Sequence, residues 1–286
     1  MKKSLLLLTG MFLFAFVFAQ PAKTESGNIN KIKLTNGQNI TVESSSTIEA
    51  SLAMGMELTS NSASVNSLIV KNSSGNNYSI SNTLTKLKVD MNMMGQPNNY
   101  DSENKDSNSG EMAKVLDEKI NKTTDITIDK TTGLAIVENK KNNKADEEDS
   151  NTAAGLMNIF NETSDEGIVS GAFEIIPQGK LVGDNWSDTL TTKDLKIMRT
   201  YTLKSLTGGE AVIQMDIKTK AVNKLDFQGM EFEIKTESKT KGEIFTDAQT
   251  SLVKKKTSIS EITGTLQMMG QDMPINATVN TTSIYK

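Results

Sequence analysis

The chain has 286 residues, a formal charge of −4 at neutral pH, no cysteine and no histidine. Those two absences exclude thiolate nucleophiles, disulfide frameworks, Ser-His-Asp relays and nearly all zinc sites. A mildly acidic chain whose one arginine is Arg199 is also a poor match for nucleic acid or an anionic membrane surface, which are gripped by clustered Lys and Arg.

Residues 1–19 have the pattern of a cleaved signal peptide. Lys2 and Lys3 precede an apolar run from Leu5 to Phe18, and Val17 and Ala19 supply the small-residue spacing for cleavage before Gln20. The run is shorter than the roughly 20 residues a spanning helix needs, and no cysteine follows it to carry a lipid. The expected location is therefore periplasmic or extracellular, with no integral membrane segment after cleavage. Residues 20–286 are expected to form a single β-rich domain.

Strand patterns dominate from there on. "KIKLTNGQNITVES" alternates on both sides of Asn36-Gly37, a hairpin signal. "SLIVKNSSGNNYSIS" repeats the plan around Asn72 to Gly75. "GEMAKVLDEKINK" follows, with Met112, Val115, Leu116 and Ile120 at helical spacing. "TDITIDKTTGLAIVEN" is a further hairpin whose Asp129-Lys-Thr-Thr-Gly133 bend is an Asx-type turn with too few oxygens for a calcium loop. "NTAAGLMNIFNE", with Ala153, Leu156, Met157 and Phe160 on one stripe, is the second expected helix. The charge-dense run between Glu138 and Asn151 is an exposed loop on this reading. Beyond it, "LVGDNW" places Trp186 after a Gly-Asp turn, where an aromatic packs a strand onto the core or stacks on a ligand. "TYTLKSLTGGEAVIQMDIKT", "LDFQGMEFEIKTES" and "GEIFTDAQTSLVKKKTS" add three more strand candidates.

The tetrapeptide Met-Met-Gly-Gln occurs twice, as "MNMMGQPNN" and "LQMMGQDMP". Gly37, Gly55 and Gly95 recur as Gly209, Gly229 and Gly270 in the same order and at nearly the same offset. This predicts an internal duplication, with repeat-like halves at about 30–100 and 196–286 and a helix-containing connector at about 105–195. The expected fold is mainly β: an antiparallel, strongly curved sheet or half-barrel with two short helices.

Methionine gathers at these bends. Met54, Met56, Met93, Met94, Met230, Met268 and Met269 flank the glycines, and with Trp186 they are the candidate ligand-binding residues. Thioethers also select Cu(I), but without histidine or cysteine to complete a site no metal or other cofactor is expected. Flexible methionines line adaptable apolar cavities or fill irregular cores, and both roles fit the spacing. No residue set satisfies a catalytic pattern, so no enzyme activity and no catalytic residues are expected.

"FVFAQ", "YTL…G", "MMGQ", the Asp-x-x-Thr-Gly turn and "P…LVGDNW" together resemble a family of exported Bacteroidota proteins carrying a domain of unknown function. That resemblance implies no activity. More loosely, hairpins, then helices, then hairpins is similar to the half-barrel of periplasmic lipoprotein carriers, which implies a curved sheet holding a lipid with helices at its concave face. The expected role is an exported, non-enzymatic protein binding an apolar ligand or acyl chain in a Met-lined cavity. The alternative is a structural or protein-interaction module of the cell envelope.

Overall fold

The computed structural model describes residues 31–286, apart from 53–54, 105, 107, 109, 137–163, 228–229 and 269–270. Residues 1–30 lie outside it, as does the expected helix at 151–162. The side chains of 110–112, 223–227, 230–232 and 268 are likewise outside the description. The chain runs β1 (Asn39–Leu52), β2 (Met56–Ser74), β3 (Asn77–Met93), β4 (Gln96–Asp101), α1 (Gly110–Asp117), β5 (Thr123–Asp129), α2 (Asp165–Gly171), β6 (Asn185–Thr191), β7 (Leu195–Thr207), β8 (Glu210–Phe227), β9 (Met230–Asp247), β10 (Val253–Met268) and β11 (Gln271–Tyr285). The strands form one antiparallel sheet of order β4-β3-β2-β1-β11-β10-β9-β8-β7-β6, with β5 also on β3. The fold is mainly β, in one joint sheet that does not close into a barrel. No described helix is long and apolar enough to cross a membrane.

The repeated tetrapeptide is a hairpin. Met93 pairs with Gln96 around Met94 and Gly95, whose φ values of 56° and 78° define a two-residue type I′ turn. Met268 pairs with Gln271 in the same way between β10 and β11. Both halves are four-strand meanders, β1 to β4 and β8 to β11, laid side by side in the same order. β4 and β5 together occupy the edge of β3 that β11 alone occupies on β10, with α1 interposed. Methionine at a left-handed position costs roughly 1 kcal/mol that asparagine largely avoids. Met94→Asn should therefore raise unfolding stability by about 0.5–1 kcal/mol in urea titrations.

The sheet curls strongly. Ile32 donates its N–H to the Lys130 carbonyl just after β5 (2.8 Å), while Lys33 donates to Thr250 in the β9–β10 turn (3.2 Å). On a flat sheet β5 and β10 would stand about 24 Å apart, at ~4.8 Å per strand spacing. Adjacent residues span only about 3.8 Å, so the two flanks must approach each other over a concave face. Gly242 and Gly264 permit the bend: a Cβ added there would lie 2.0 Å from the Thr257 carbonyl oxygen and 2.3 Å from that of Lys235, respectively.

Alternation puts one side of every strand inside this curl, and its apolar residues gather into two patches. The lower patch includes Ile40, Leu68, Ile80, Leu203, Ile213 and Ile244, closed by Val169 of α2 and by Phe173 and Ile176 beyond it. The upper patch includes Ile48, Leu58, Met91, Ile262 and Ile275, with Ala113 of α1 against it. Between them the same inward register carries hydroxyls: Ser62 and Ser64 face Ser46 and Ser44, which face Thr281 and Ser283, then Ser258 and Lys256. Ser44 and Ser283 bond each other at 2.8 Å, whereas the buried Oγ atoms of Ser46 and Ser60 have no hydrogen-bond partner among the described residues.

One expectation changes. Residues 31–35 do not form a strand; Ile32 is 2% exposed and closes the lower end of the curl instead. The second described helix is α2, capped by Ser164, whose Oγ accepts from Gly167 N–H at 3.1 Å. The Asx reading of Asp129 holds, because its Oδ1 accepts from the Thr131 and Thr132 amides. Asp247 builds the same turn with Gln249 and Thr250.

Candidate ligand-binding site

The site is built on the β6–β8 flank, where no described helix lies over the concave face. Gly183, at φ 96°, and the Asp184 carboxylate, which accepts from Leu181 N–H at 2.9 Å, turn the chain into β6. Register then fixes three inward cross-strand pairs: Trp186 with Tyr201, Asp188 with Arg199, and Leu190 with Ile197. The two rings stack at 5.5 Å between centroids, and Arg199 Nη1 donates to Asp188 Oδ1 at 2.9 Å. Ile217 of β8 stands opposite Arg199 and Ala221 opposite Leu195, extending the surface. Leu190 is 44% exposed, and Leu195, Ile197 and Ile217 are half-buried. The result is an open apolar strip interrupted by one ion pair.

A second wall comes from the segment after α2. Val253 N–H donates to the Ala172 carbonyl and Glu174 N–H to that of Ser251, both at 2.9 Å, so the segment is strapped along the start of β10. This places the Glu174 carboxyl among Lys256, Asp188 and Arg199. Burial pushes Glu174 up to about 7; Lys256 and Arg199 pull it down and Asp188 pushes it up. Burial, followed by the charge of Glu174, likewise holds the Tyr201 phenol above its ordinary range.

A carboxyl raised on folding contributes in full below its unfolded value near 4.5, and that contribution is lost as pH rises through about 7. Glu174→Gln should remove on the order of 2 kcal/mol of pH-dependent stability between about pH 5 and pH 8, leaving the variant more stable than the parent at the alkaline end.

Lys256 is inward because of a slip in the β9–β10 register between Val253 and Lys255. Both Val253, which is buried, and Lys256 therefore face the curl, with Lys254 absorbed in the bulge. Lys256 lies opposite Ile244 and Ser283 and forms no ion pair or hydrogen bond among the described residues.

The methionine bends lie elsewhere. The strand ends joined by the β1–β2, β3–β4, β8–β9 and β10–β11 connections all lie at one end of the sheet, its upper rim. Met56 and Met93 are half-buried there, Met91 is buried in the upper patch and Met94 is 62% exposed at a tip. Met230 and Met268 occupy strand ends opposite Phe227 and Gln271; their side chains, and Met54 and Met269 altogether, lie outside the described residues. Trp186 is near the lower end of β6 and packs against the lower patch, so the structure does not bring it to the rim. Glu174, Asp188, Arg199 and Lys256 were not anticipated. Arg199, as the lone arginine, was the available signal.

On the opposite face a shallow hollow of about 200 Å³ is lined by Lys218, Lys220, Glu237, Lys239 and Glu261. Lys220 and Glu237 form an ion pair across it.

The sequence profile of the Family of unknown function (DUF6263) matches residues 75–253. The chain belongs to that family. The DUF6263 match takes in Glu174, Trp186, Asp188 and Arg199, and Lys256 falls just beyond its end. No curated protein matches in sequence. Among solved structures, this DUF6263 chain is similar to lipovitellin, in a structure titled for lipid–protein interactions, with 9% identity and a TM-score of 0.46. That match covers 89% of this chain and 25% of the lipovitellin chain, so the present chain spans a quarter of that protein. It is also similar to Pseudomonas aeruginosa OccK5, with 6% identity, a TM-score of 0.26, and coverage of 87% and 98% of the two chains. An outer membrane channel from Pseudomonas putida F1 matches with 8% identity, a TM-score of 0.22, and coverage of 90% and 98%.

Proposed function

We propose that this member of DUF6263 is an exported, non-enzymatic protein that binds an apolar ligand such as an acyl chain on the concave face of its sheet. The observation that carries the reading is the uncovered strip of Leu190, Leu195, Ile197 and Ile217 inside the curl. Elsewhere on this face the buried apolar side chains gather in the two patches, with Ala113 of α1 in one and Val169 of α2 and Phe173 and Ile176 of the strap in the other. An apolar strip left open within a concave wall is stabilised by a ligand that removes it from water, at about 25 cal/mol per Å². The methionine rim would form the adaptable mouth of the same concavity. Its candidates remain Met54, Met56, Met93, Met94, Met230, Met268 and Met269, with Trp186 at the strip.

Native mass spectrometry of residues 20–286, secreted from an exporting host and kept free of detergent, tests this. An apolar adduct is expected on the parent, and Ile197→Asp should reduce its occupancy about tenfold or more by placing a charge in the strip. A clean mass that stays clean after incubation with lipid extract would move the reading to the alternative, an envelope structural or protein-interaction module. The terminal strand β6, with one edge unpaired among the described residues, favours that second reading.

A further inference from the structure

The concave face offers a polar site as well as an apolar one. Resting on the apolar-ligand reading, we infer that Lys256, Arg199 and Glu174 form a head-group subsite, which selects an amphiphile with an anionic head, carboxylate or phosphate, over a neutral one of equal chain length.

Three observations converge on it. Lys256 is turned inward and half-buried, yet it touches no carboxylate within ion-pairing distance among the described residues. Glu174 attracts Lys256 and Arg199 electrostatically, but its carboxyl makes no hydrogen bond to either. Arg199 is held to Asp188 through Nη1, which orients the guanidinium on the strip itself. A lysine turned inward with no carboxylate in ion-pairing contact gains from a charged or polar group that completes its surroundings. The neighbouring belt repeats the signal, because the buried Ser46 hydroxyl has no hydrogen-bond partner among the described residues.

The apolar strip leads directly to this point. Leu190–Ile197 is the cross-strand pair next to Asp188–Arg199, so a chain lying on the strip brings its head against Arg199, whose charge and that of Lys256 both act on Glu174. Glu174 is faced by Lys256 from β10, Asp188 from β6, and Arg199 and Tyr201 from β7. Protonated, it donates to an anionic head; ionised, it repels one and occupies the field of the two cations. Preference for the anion is accordingly strongest below about pH 7 and fades above it.

Calorimetric titration of residues 20–286 with dodecanoate, dodecyl phosphate, dodecanol and acetate tests the inference. At about pH 6, dodecanoate or dodecyl phosphate is expected to bind about tenfold or more tightly than dodecanol, and acetate only weakly. Whichever anion is tighter identifies the source of the charge. Lys256→Met should bring the anion down to the dodecanol affinity while leaving dodecanol itself unchanged, which also shows that the variant is folded. Glu174→Gln should keep the preference and flatten its pH dependence. Equal affinities for dodecanoate, dodecyl phosphate and dodecanol in the parent would overturn the subsite and leave the apolar reading standing. Acetate binding as tightly as dodecanoate would overturn the amphiphile class, and failure of every chain-bearing probe would sink both readings.

Discussion

Gly242→Ala is expected to destabilise the protein by about 3 kcal/mol or to prevent folding, a large effect for the addition of one methyl group. The added Cβ would stand 2.0 Å from the Thr257 carbonyl oxygen, 2.6 Å from the Met215 methyl and 3.0 Å from the Ser258 Cα. Met215 can move its flexible end. The Thr257 carbonyl cannot, because β9 and β10 pair residue by residue along their length on both sides of that contact. Relief would require the two strands to part or the sheet to flatten, and flattening would break the Ile32 and Lys33 bonds that join its flanks. Chemical denaturation with far-ultraviolet circular dichroism reads the outcome. A Gly242→Ala midpoint equal to the parent's would show that the curl does not depend on this close approach.

The second large effect is Phe173→Ala, expected to cost about 3–5 kcal/mol. Phe173 is 6% exposed, pairs with Leu252 in an isolated bridge, and belongs to the lower apolar patch. Its Cβ lies so near Gly133 that a Cβ added to that glycine would meet it at 3.2 Å, which ties the strap to the turn after β5. Removing the ring leaves a cavity bounded by strands from both flanks of the sheet, with little freedom to collapse. Loss of stability without loss of the parent's cooperativity is expected in thermal unfolding. An unchanged melting temperature would mean that the strap is not structural.

The class of fold was legible because strand alternation is a local property. Ile126 with Ile128, and Leu68 with Val70, sit on one face as spacing requires, and Met93-Met94-Gly95-Gln96 is a hairpin because glycine follows a residue forced to positive φ. What was not legible depends on register and on contacts distant in sequence. The bulges at Thr85, Lys204 and Lys254 each exchange the two faces of a strand, so strict alternation puts Lys255 rather than Lys256 inside. The pairing of β1 with β11 joins the two ends of the described chain, which no local pattern announces. α2 escaped notice because it is 7 residues long and buries only Val169, too short for a periodic stripe. The site itself was partly visible: Trp186 was singled out, but Met56, Met93 and Met94 stand at hairpin ends away from it, Asp188 meets Arg199 only through the β6–β7 register, and Glu174 joins them only through the strap along β10.

Trp186 is the lone tryptophan and stacks on Tyr201 at the head of the open strip, so its emission reports on that surface alone. Titrating the parent and Ile197→Asp with dodecanol, while following Trp186 fluorescence, tests the claim that the concave β6–β8 flank takes up an apolar chain. The account predicts a saturable change in emission in the parent and its loss in the variant. No saturable change up to the solubility limit of the alcohol, or an identical curve in Ile197→Asp, would contradict it.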